Sequence, residues 1–472
     1  MSDVPVTRSS LRRLGLVIGE ARAEALEDAA QRARAEMQGS TLWNVSSTAV
    51  GGGVAEMLRV LVGYILDADI ETRWCVVSGD GDFFATTKRI HNQLHGYSFG
   101  EHLSEKDVTT YRRMTESYGR ALAERVKPHD VVLLHDPQTT GMAPQLVERG
   151  AHVIWRCHVG TERPDGNAEA AWQLLRPYLE VCEAFVFSLS AYVPALLQDR
   201  DVVIIPPSID PFSAKNRDLT DEEVRGILED AGIVQAECTP PGVAGGHRPL
   251  VSRPARVFRE QAPLDVRTPA VVQVSRWDRL KDMPGVMEGF LEHVPSESPA
   301  HLLLVGPDSA GVSDDPEGAE VFHQCRSMWE ALDEENRRRV SLVCLPLDDV
   351  DENALMVNAV QRHATVVVQK SLAEGFGLTV AEAMWKGRAV VASGVGGISE
   401  QVTADTGVLL GDPSDLDAYG RTLSSLLADT ERIGALGANA HRRVRDHYLG
   451  DRHLIQYGTL ITRLRLRASG AG

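Results

Sequence analysis

The chain reads as an α/β protein built from two doubly wound, Rossmann-like parallel sheets. Apolar runs of strand length alternate with helical patterns, as sheets covered on both faces require. The alternation comes in two series separated by a Pro/Gly-rich stretch. In addition, 472 residues exceed one ordinary core, since roughly 150 residues per domain predicts two or three domains.

Residues 1–39 are charged, with Ala, Glu and Arg dominating Glu20 to Met37, which predicts an N-terminal helical extension packed on the first domain. The first series, over 40–211, offers strands at Leu42–Val45, Trp74–Val77, Val131–Leu134, Val153–Trp155, Ala184–Phe187 and Val202–Ile205. Thr-Pro-Pro-Gly and Gly-Gly-His-Arg-Pro between Glu237 and Pro254 suit neither helix nor strand, so 212–266 reads as connector plus insertion. The second series, over 267–445, offers Ala270–Val274, Leu302–Val305, Ser341–Leu345, Thr365–Val368 and Ala389–Ala392. Residues 446–472 are expected to form a helix packing back toward the N-terminal domain, with a final tail that frays. Open parallel sheets bind ligands beyond the carboxyl ends of their strands, so two facing domains predict a site in a central cleft.

Composition excludes several functions. A hydrophobic content of 43% with 24% charged residues is ordinary for a globular enzyme, and a net charge of −17 argues against a nucleic-acid partner. Six cysteines without a C-x-x-C pair look like small core residues. With no signal-type apolar core and no apolar run near the ~18 residues of a membrane span, the expected location is cytoplasmic, with no membrane partner.

Glu374 and Glu382 stand eight positions apart across a Gly375-Phe376-Gly377 turn, which follows an apolar run ending at Gln369 and opens a helical stretch ending near Gly387. A glycine loop opening a helix attracts phosphate through backbone N–H groups and the helix dipole. Carboxylates there repel phosphate and instead accept hydrogen bonds from hydroxyls, which points to a sugar nucleotide. The bland alternative is two solvated helix-face charges. Arg276 and Lys281 follow another strand and are expected to meet a diphosphate, against the alternative of a surface loop paired with Asp278 and Asp282. Gly52 and Gly53, within Gly51-Gly52-Gly53, open the first domain's first helix in the matching position. His158, beside Arg156, ends a strand and is expected to serve the site, and Asp136 and Gln138, after another strand, are expected to hold an acceptor's hydroxyls. Asp349 and Asp351 match a D-x-D metal motif but precede a helix and read as N-cap and first-turn acids. No essential metal or cofactor is expected.

Assembled, these residues resemble the retaining glycosyltransferases of GT-B architecture that include glycogen and sucrose synthases. The group's two glutamates with seven residues between them fall on Glu374 and Glu382, and its Arg and Lys phosphate pair falls on Arg276 and Lys281. Asn44 to Thr48, Gly51 to Glu56, Phe83-Phe84 through Lys88, His91-Asn92, His135 to Gln138, Trp155 to His158, Pro206 to Asp210, Glu374 to Thr379 and Ala383 to Gly387 resemble the trehalose glycosyltransferring synthase family. That resemblance implies glucose transfer from a nucleoside diphosphate glucose to free glucose. It implies donor contacts from Gly52, Gly53, Arg276, Lys281, Glu374, Gly375, Phe376, Gly377, Leu378, Thr379 and Glu382, with Glu374 on the sugar and Glu382 on the ribose. Acceptor contacts are implied for Asn44, Ser46, Asp136, Gln138 and Arg156, and a catalytic role for His158, Arg276, Lys281 and Glu374. The 229–266 region departs from the family pattern. A trehalose phosphorylase of the same architecture is the nearest alternative, followed by a sugar-nucleotide epimerase and a non-catalytic sensor. The base is not read out, and a homodimer is a working expectation only.

Overall fold

The computed structural model describes residues 1–49, 53–96, 102–162, 164–235, 249–308 and 316–468. Gly51, Gly52, Cys238, most of the Pro/Gly insertion and the terminal tail expected to fray lie outside the described residues. The chain divides into two compact units, Met1–Ser208 with Tyr448–Gly472, and Ile209–His447.

The first unit holds β1 (Ser2–Asp3), β2 (Leu42–Ser46), β3 (Thr72–Val76), β4 (Val131–His135), β5 (His152–Cys157), β6 (Ala184–Phe187) and β7 (Val202–Ile204) in the order β1-β3-β2-β4-β5-β6-β7. Only the two-residue β1 is antiparallel. Every residue of β2, β4, β5 and β6 is buried, because helices cover both faces; this is why the strands read as unbroken apolar runs. Side chains alternate between the faces. Trp43, Val132, Leu134, Trp155 and Phe187 pack with Phe83, Ile90, Tyr111 and Trp172. Leu42, Leu133, Ile154 and Val186 pack with Ala33 and Met37 of the N-terminal helix region and with Tyr457, Leu460 and Ile461 of the C-terminal helix Gly450–Ala468. Arg22 joins the same two helices through Asp451 at 2.8 Å.

The second unit repeats the plan with β8 (Arg256–Phe258), β9 (Ala270–Val274), β10 (His301–Pro307), β11 (Val340–Leu345), β12 (Val366–Gln369), β13 (Ala389–Ser393) and β14 (Gly407–Leu410), ordered β14-β13-β12-β9-β10-β11-β8. The stretch read as connector carries the helix Asp221–Asp230, closed by a Thr220/Glu223 capping box, and β8, which pairs antiparallel with β11. Both elements belong to this unit. They escape a pattern search because β8 is three residues long and half-exposed at a sheet edge. Among the described residues no helix is long and apolar enough to cross a membrane. The five described cysteines are buried and unbridged.

Apart from the antiparallel edge strands β1 and β8, the chain starts centrally in both sheets and winds first one way, then the other. The switch points lie between β2 and β4 and between β9 and β12, and their carboxyl ends are where ligand-binding loops collect. At the opposite end of the first sheet, Asp130 accepts from Thr41 N at 2.8 Å, Trp43 Nε1 at 2.9 Å and Lys127 N at 2.9 Å while only 1% exposed. Asp130→Ala orphans three donors at once. We expect a loss of about 2–4 kcal/mol in urea unfolding, with Asp130→Asn retaining part of it.

Candidate active site

In the second unit, β9 and β12 pair only through Val271↔Val366 and Val272↔Val367. Beyond that point buried amides replace the ladder. Gln273 donates from Nε2 to Lys281 O at 2.7 Å and accepts at Oε1 from Lys370 N at 3.1 Å. Gln369 donates to Ser275 Oγ at 3.2 Å and Ser371 Oγ at 3.0 Å, and accepts from Thr379 Oγ1 at 3.0 Å. Leu372 N to Leu280 O at 2.8 Å completes the tie between the two loops.

This scaffold brings Lys281 and Glu374 together: Nζ lies 2.5 Å from Oε2, and both side chains are about 15% exposed, at 15% and 14%. Ser371 Oγ stands 3.4 Å from the same oxygen. Gly377 adopts φ 84° and begins the helix Leu378–Trp385, whose first turn receives no side-chain cap. A Cβ on Gly377 would come within 2.8 Å of Ile398 Cγ1, so glycine is required there by both conformation and space. Phe376 is buried, Gln401 donates to its carbonyl, and Gly397 N donates to Gly375 O at 3.1 Å, which braces the whole turn. Leu378 and Thr379 are half-buried at the helix start.

Arg276 does not join this pair. Trp277, 1% exposed and donating to Pro307 O at 2.8 Å, anchors the loop, and Arg276 projects outward at 60% side-chain exposure, paired with Asp278 at 3.0 Å. Asp282 likewise pairs with the fully buried Lys370. Of the surface-loop pairing weighed from sequence, the Arg276–Asp278 contact is present, while Lys281 pairs with Glu374 and not with Asp278 or Asp282. Glu382 is 3% exposed, with Lys215 Nζ 3.6 Å from Oε1. Neither Lys215 nor Lys370 was singled out from sequence: Lys215 is distant along the chain, and Lys370 ends a strand like any capping polar residue. Asp349 caps its helix, accepting from Asp351 N at 2.9 Å and Glu352 N at 3.0 Å.

In the first unit the strand ends carry a hydrogen-bonded chain. Asn44 Oδ1 lies 3.2 Å from His135 Nε2, and His135 Nδ1 lies 3.2 Å from His158 Nε2, the two rings stacked at 13°. With Asn44 Oδ1 an obligatory acceptor, His135 Nε2–H donates, its Nδ1 accepts from His158 Nε2–H, and His158 keeps Nδ1 as an acceptor. Both rings are held neutral: burial, reinforced by the Arg156 charge, pulls His135 down to about 3 and His158 well below the usual histidine range. Asp136, strained at φ 62°, accepts from His158 N at 2.7 Å. Its burial outweighs that bond and the Arg156 charge and pushes the carboxyl up to about 7.

Arg156 is fully buried, donates to Ser188 Oγ at 3.2 Å, and leaves Nε and Nη1 without a partner among the described residues. Gln138 Oε1 is also buried without one. Ser46 is occupied structurally, accepting from Trp74 Nε1 at 2.9 Å and donating to Thr48 O at 3.1 Å. Gly53 is half-buried as the first residue of the helix Gly53–Asp67, and Gly52 is not described. Sequence reading missed His453, which comes from the C-terminal helix with Nδ1 3.0 Å from Ser208 Oγ. No local motif marks it.

Residues 44–194 match the family model "Trehalose synthase, N-terminal domain", and residues 256–443 match "Glycosyl transferases group 1". The solved structure described as "Trehalose-6-phosphate from E. coli bound with UDP-2-fluoro glucose" aligns with TM-score 0.67 at 14% identity, covering 90% of this chain and 99% of that one. The group 1 match together with the shared two-sheet fold places the chain among glycosyltransferases of GT-B architecture. Trehalose synthases of Rubrobacter xylanophilus and Pyrococcus horikoshii are both 32% identical, over 431 and 455 residues, covering 90% and 95% of each chain respectively. The chain belongs to the trehalose synthase family.

Because the native Asp136 carboxyl binds its proton more tightly than in the unfolded chain, it favours the native state at low pH and that contribution is lost as pH rises from about 4 to 7. Asp136→Asn removes this slope. Urea midpoints across that window should fall less with pH in the variant than in the parent.

Proposed function

We propose that the protein transfers glucose from a nucleoside diphosphate glucose to the anomeric hydroxyl of free glucose, with retention, giving α,α-trehalose and a nucleoside diphosphate in a reversible reaction. The observation that carries this reading is the meeting of Lys281 and Glu374 beside the uncapped start of the helix Leu378–Trp385, at the switch point of the second sheet. A diphosphate is attracted there by the helix dipole, the first-turn amides and a lysine ammonium. On binding, Lys281 exchanges the Glu374 carboxylate for the phosphate, and Glu374 is released to accept from the donor sugar's hydroxyls. Arg276, itself exposed and paired with Asp278, turns to the same diphosphate at little cost.

In the transfer, the bond from the glucosyl carbon to the phosphate oxygen breaks and a bond to the acceptor oxygen forms. The acceptor's proton passes to the departing phosphate. Charge accumulates on the diphosphate, so its stabilisation by Lys281, Arg276 and the loop amides is the main catalytic contribution. Neutral His158, with Nδ1 available as an acceptor, orients hydroxyls near the reacting oxygens. It is not charged at neutral pH and does not act as an acid. Asn44, Asp136, Gln138 and Arg156 support the acceptor side, with Ser46 bracing the strand end. The similarity to a solved protein bound with UDP-2-fluoro glucose supports a nucleotide-sugar donor. No metal is required, since the cations are side chains.

The test is a product assay with glucose and UDP-, ADP- or GDP-glucose in the presence of a chelator, the disaccharide read by NMR. We expect α,α-trehalose and the matching diphosphate. Trehalose and phosphate yielding glucose and glucose phosphate, without nucleotide dependence, would establish the phosphorylase instead. Arg276→Ala should lower turnover by roughly 10²-fold. His158→Ala should impair transfer while calorimetry finds nucleotide affinity unchanged; lost affinity would contradict its placement by the sugars.

A further inference from the structure

Glu382 is a carboxylate with only 3% exposure, and a buried charge is costly unless another charge or strong donors offset it. The ammonium of Lys215 does so from a segment remote in sequence, at 3.6 Å from Oε1 with a 17% exposed side chain. The backbone around Lys215 is clamped on both sides. Asn358 Nδ2 donates to Ala214 O at 3.0 Å and Arg217 O at 2.9 Å, while Arg362 donates to Arg217 O at 3.0 Å and Asp218 Oδ1 at 2.9 Å. Trp385 Nε1 donates to Asn216 O at 3.0 Å. A lysine whose base is already fixed loses less entropy on pairing than one on a free loop.

The other cations nearby are committed elsewhere. Lys386 Nζ contacts Asn216 Oδ1 at 3.0 Å, Gln361 Oε1 at 2.8 Å and Glu382 O at 3.1 Å, three acceptors for the three N–H bonds of an ammonium. Burial pulls Lys386 below the ordinary lysine range, and the Glu382 carboxylate opposes that pull. Arg362 serves the Arg217 carbonyl and the Asp218 carboxylate, and His441, on the neighbouring helix, contacts Trp385 O. Lys215 is the cation paired with a Glu382 carboxylate oxygen, while Lys386 acts on the same carboxylate through its charge. At 3.6 Å Lys215 acts by charge and leaves carboxylate lone pairs for other donors.

We propose that Lys215 is a positioning residue of the donor site, holding the Glu382 carboxylate ionised and aimed at vicinal hydroxyls of a nucleoside diphosphate's ribose. This rests on the donor reading above. Without Lys215, Glu382 protonates more readily, and a protonated carboxyl has lost one of the two acceptor oxygens that a ribose diol uses.

The test is a double-mutant cycle read by calorimetry from pH 5 to 8.5, with UDP, ADP and GDP as probes and the tightest binder carried through. Lys215→Met should weaken binding about tenfold at pH 7 and move the acid limb of affinity upward by about one pH unit. Lys215→Arg should restore affinity to within about threefold, and in a Glu382→Gln background Lys215→Met should cost no more than about twofold. An unmoved acid limb, or an equal cost in both backgrounds, would overturn the role of Lys215 while leaving the donor site in place. If Glu382→Gln itself leaves nucleotide affinity unchanged, the ribose reading of Glu382 fails and the Lys215 proposal falls with it.

Discussion

Where β9 and β12 stop pairing, two buried glutamines take over from the backbone ladder, and the second unit's site depends on that substitution. Parallel strands at a switch point must diverge, because the connections that follow them leave toward opposite faces. Divergence exposes backbone polar groups, which are costly to bury unpaired. Gln273 satisfies a backbone carbonyl and a backbone N–H, Gln369 ties together the hydroxyls of Ser275, Ser371 and Thr379, and the same contacts fix the loops that carry Lys281 and Glu374. Removing those amides would free the loops and leave buried donors and acceptors at once.

The first unit meets the same divergence differently. Its switch point is bridged by one amide and one ionisable ring, Asn44 to His135, and the hydrogen-bonded chain continues to His158, with the Arg156 guanidinium buried in β5. Burial keeps the imidazoles neutral, so their proton positions are set by hydrogen bonding and not by solution pH. Asp136 sits in a strained backbone conformation to receive the His158 amide. Strain of this kind, about 1–3 kcal/mol, persists only where surrounding structure over-determines it.

Charge is distributed with similar economy. A chain carrying −17 has to recruit cations locally for an anionic ligand. In the second unit they arrive in pairs with carboxylates: Lys281 with Glu374, Arg276 with Asp278, Lys370 with Asp282, Lys215 with Glu382. The pairs differ in burial, from the exposed Arg276 to the fully buried Lys370. Exposed pairs break at little cost, whereas buried ones are fixed parts of the scaffold.

The sequence by itself determined the two doubly wound sheets, because strands covered on both faces must be apolar throughout; six of the first unit's strands and five of the second's are legible as such runs. It did not disclose β1, β8 or β14, which are short edge strands with half-solvated residues and no burial pattern of their own. It located the loops bearing Glu374, Lys281 and His158, since glycines and strand ends are local signals. Only the tertiary structure decided which groups meet. Lys281 faces Glu374, Ser46 is taken up by Trp74, and Lys215 and His453 arrive from segments remote along the chain. Pairing between distant residues is set by strand order and helix packing, and a linear pattern carries no record of either.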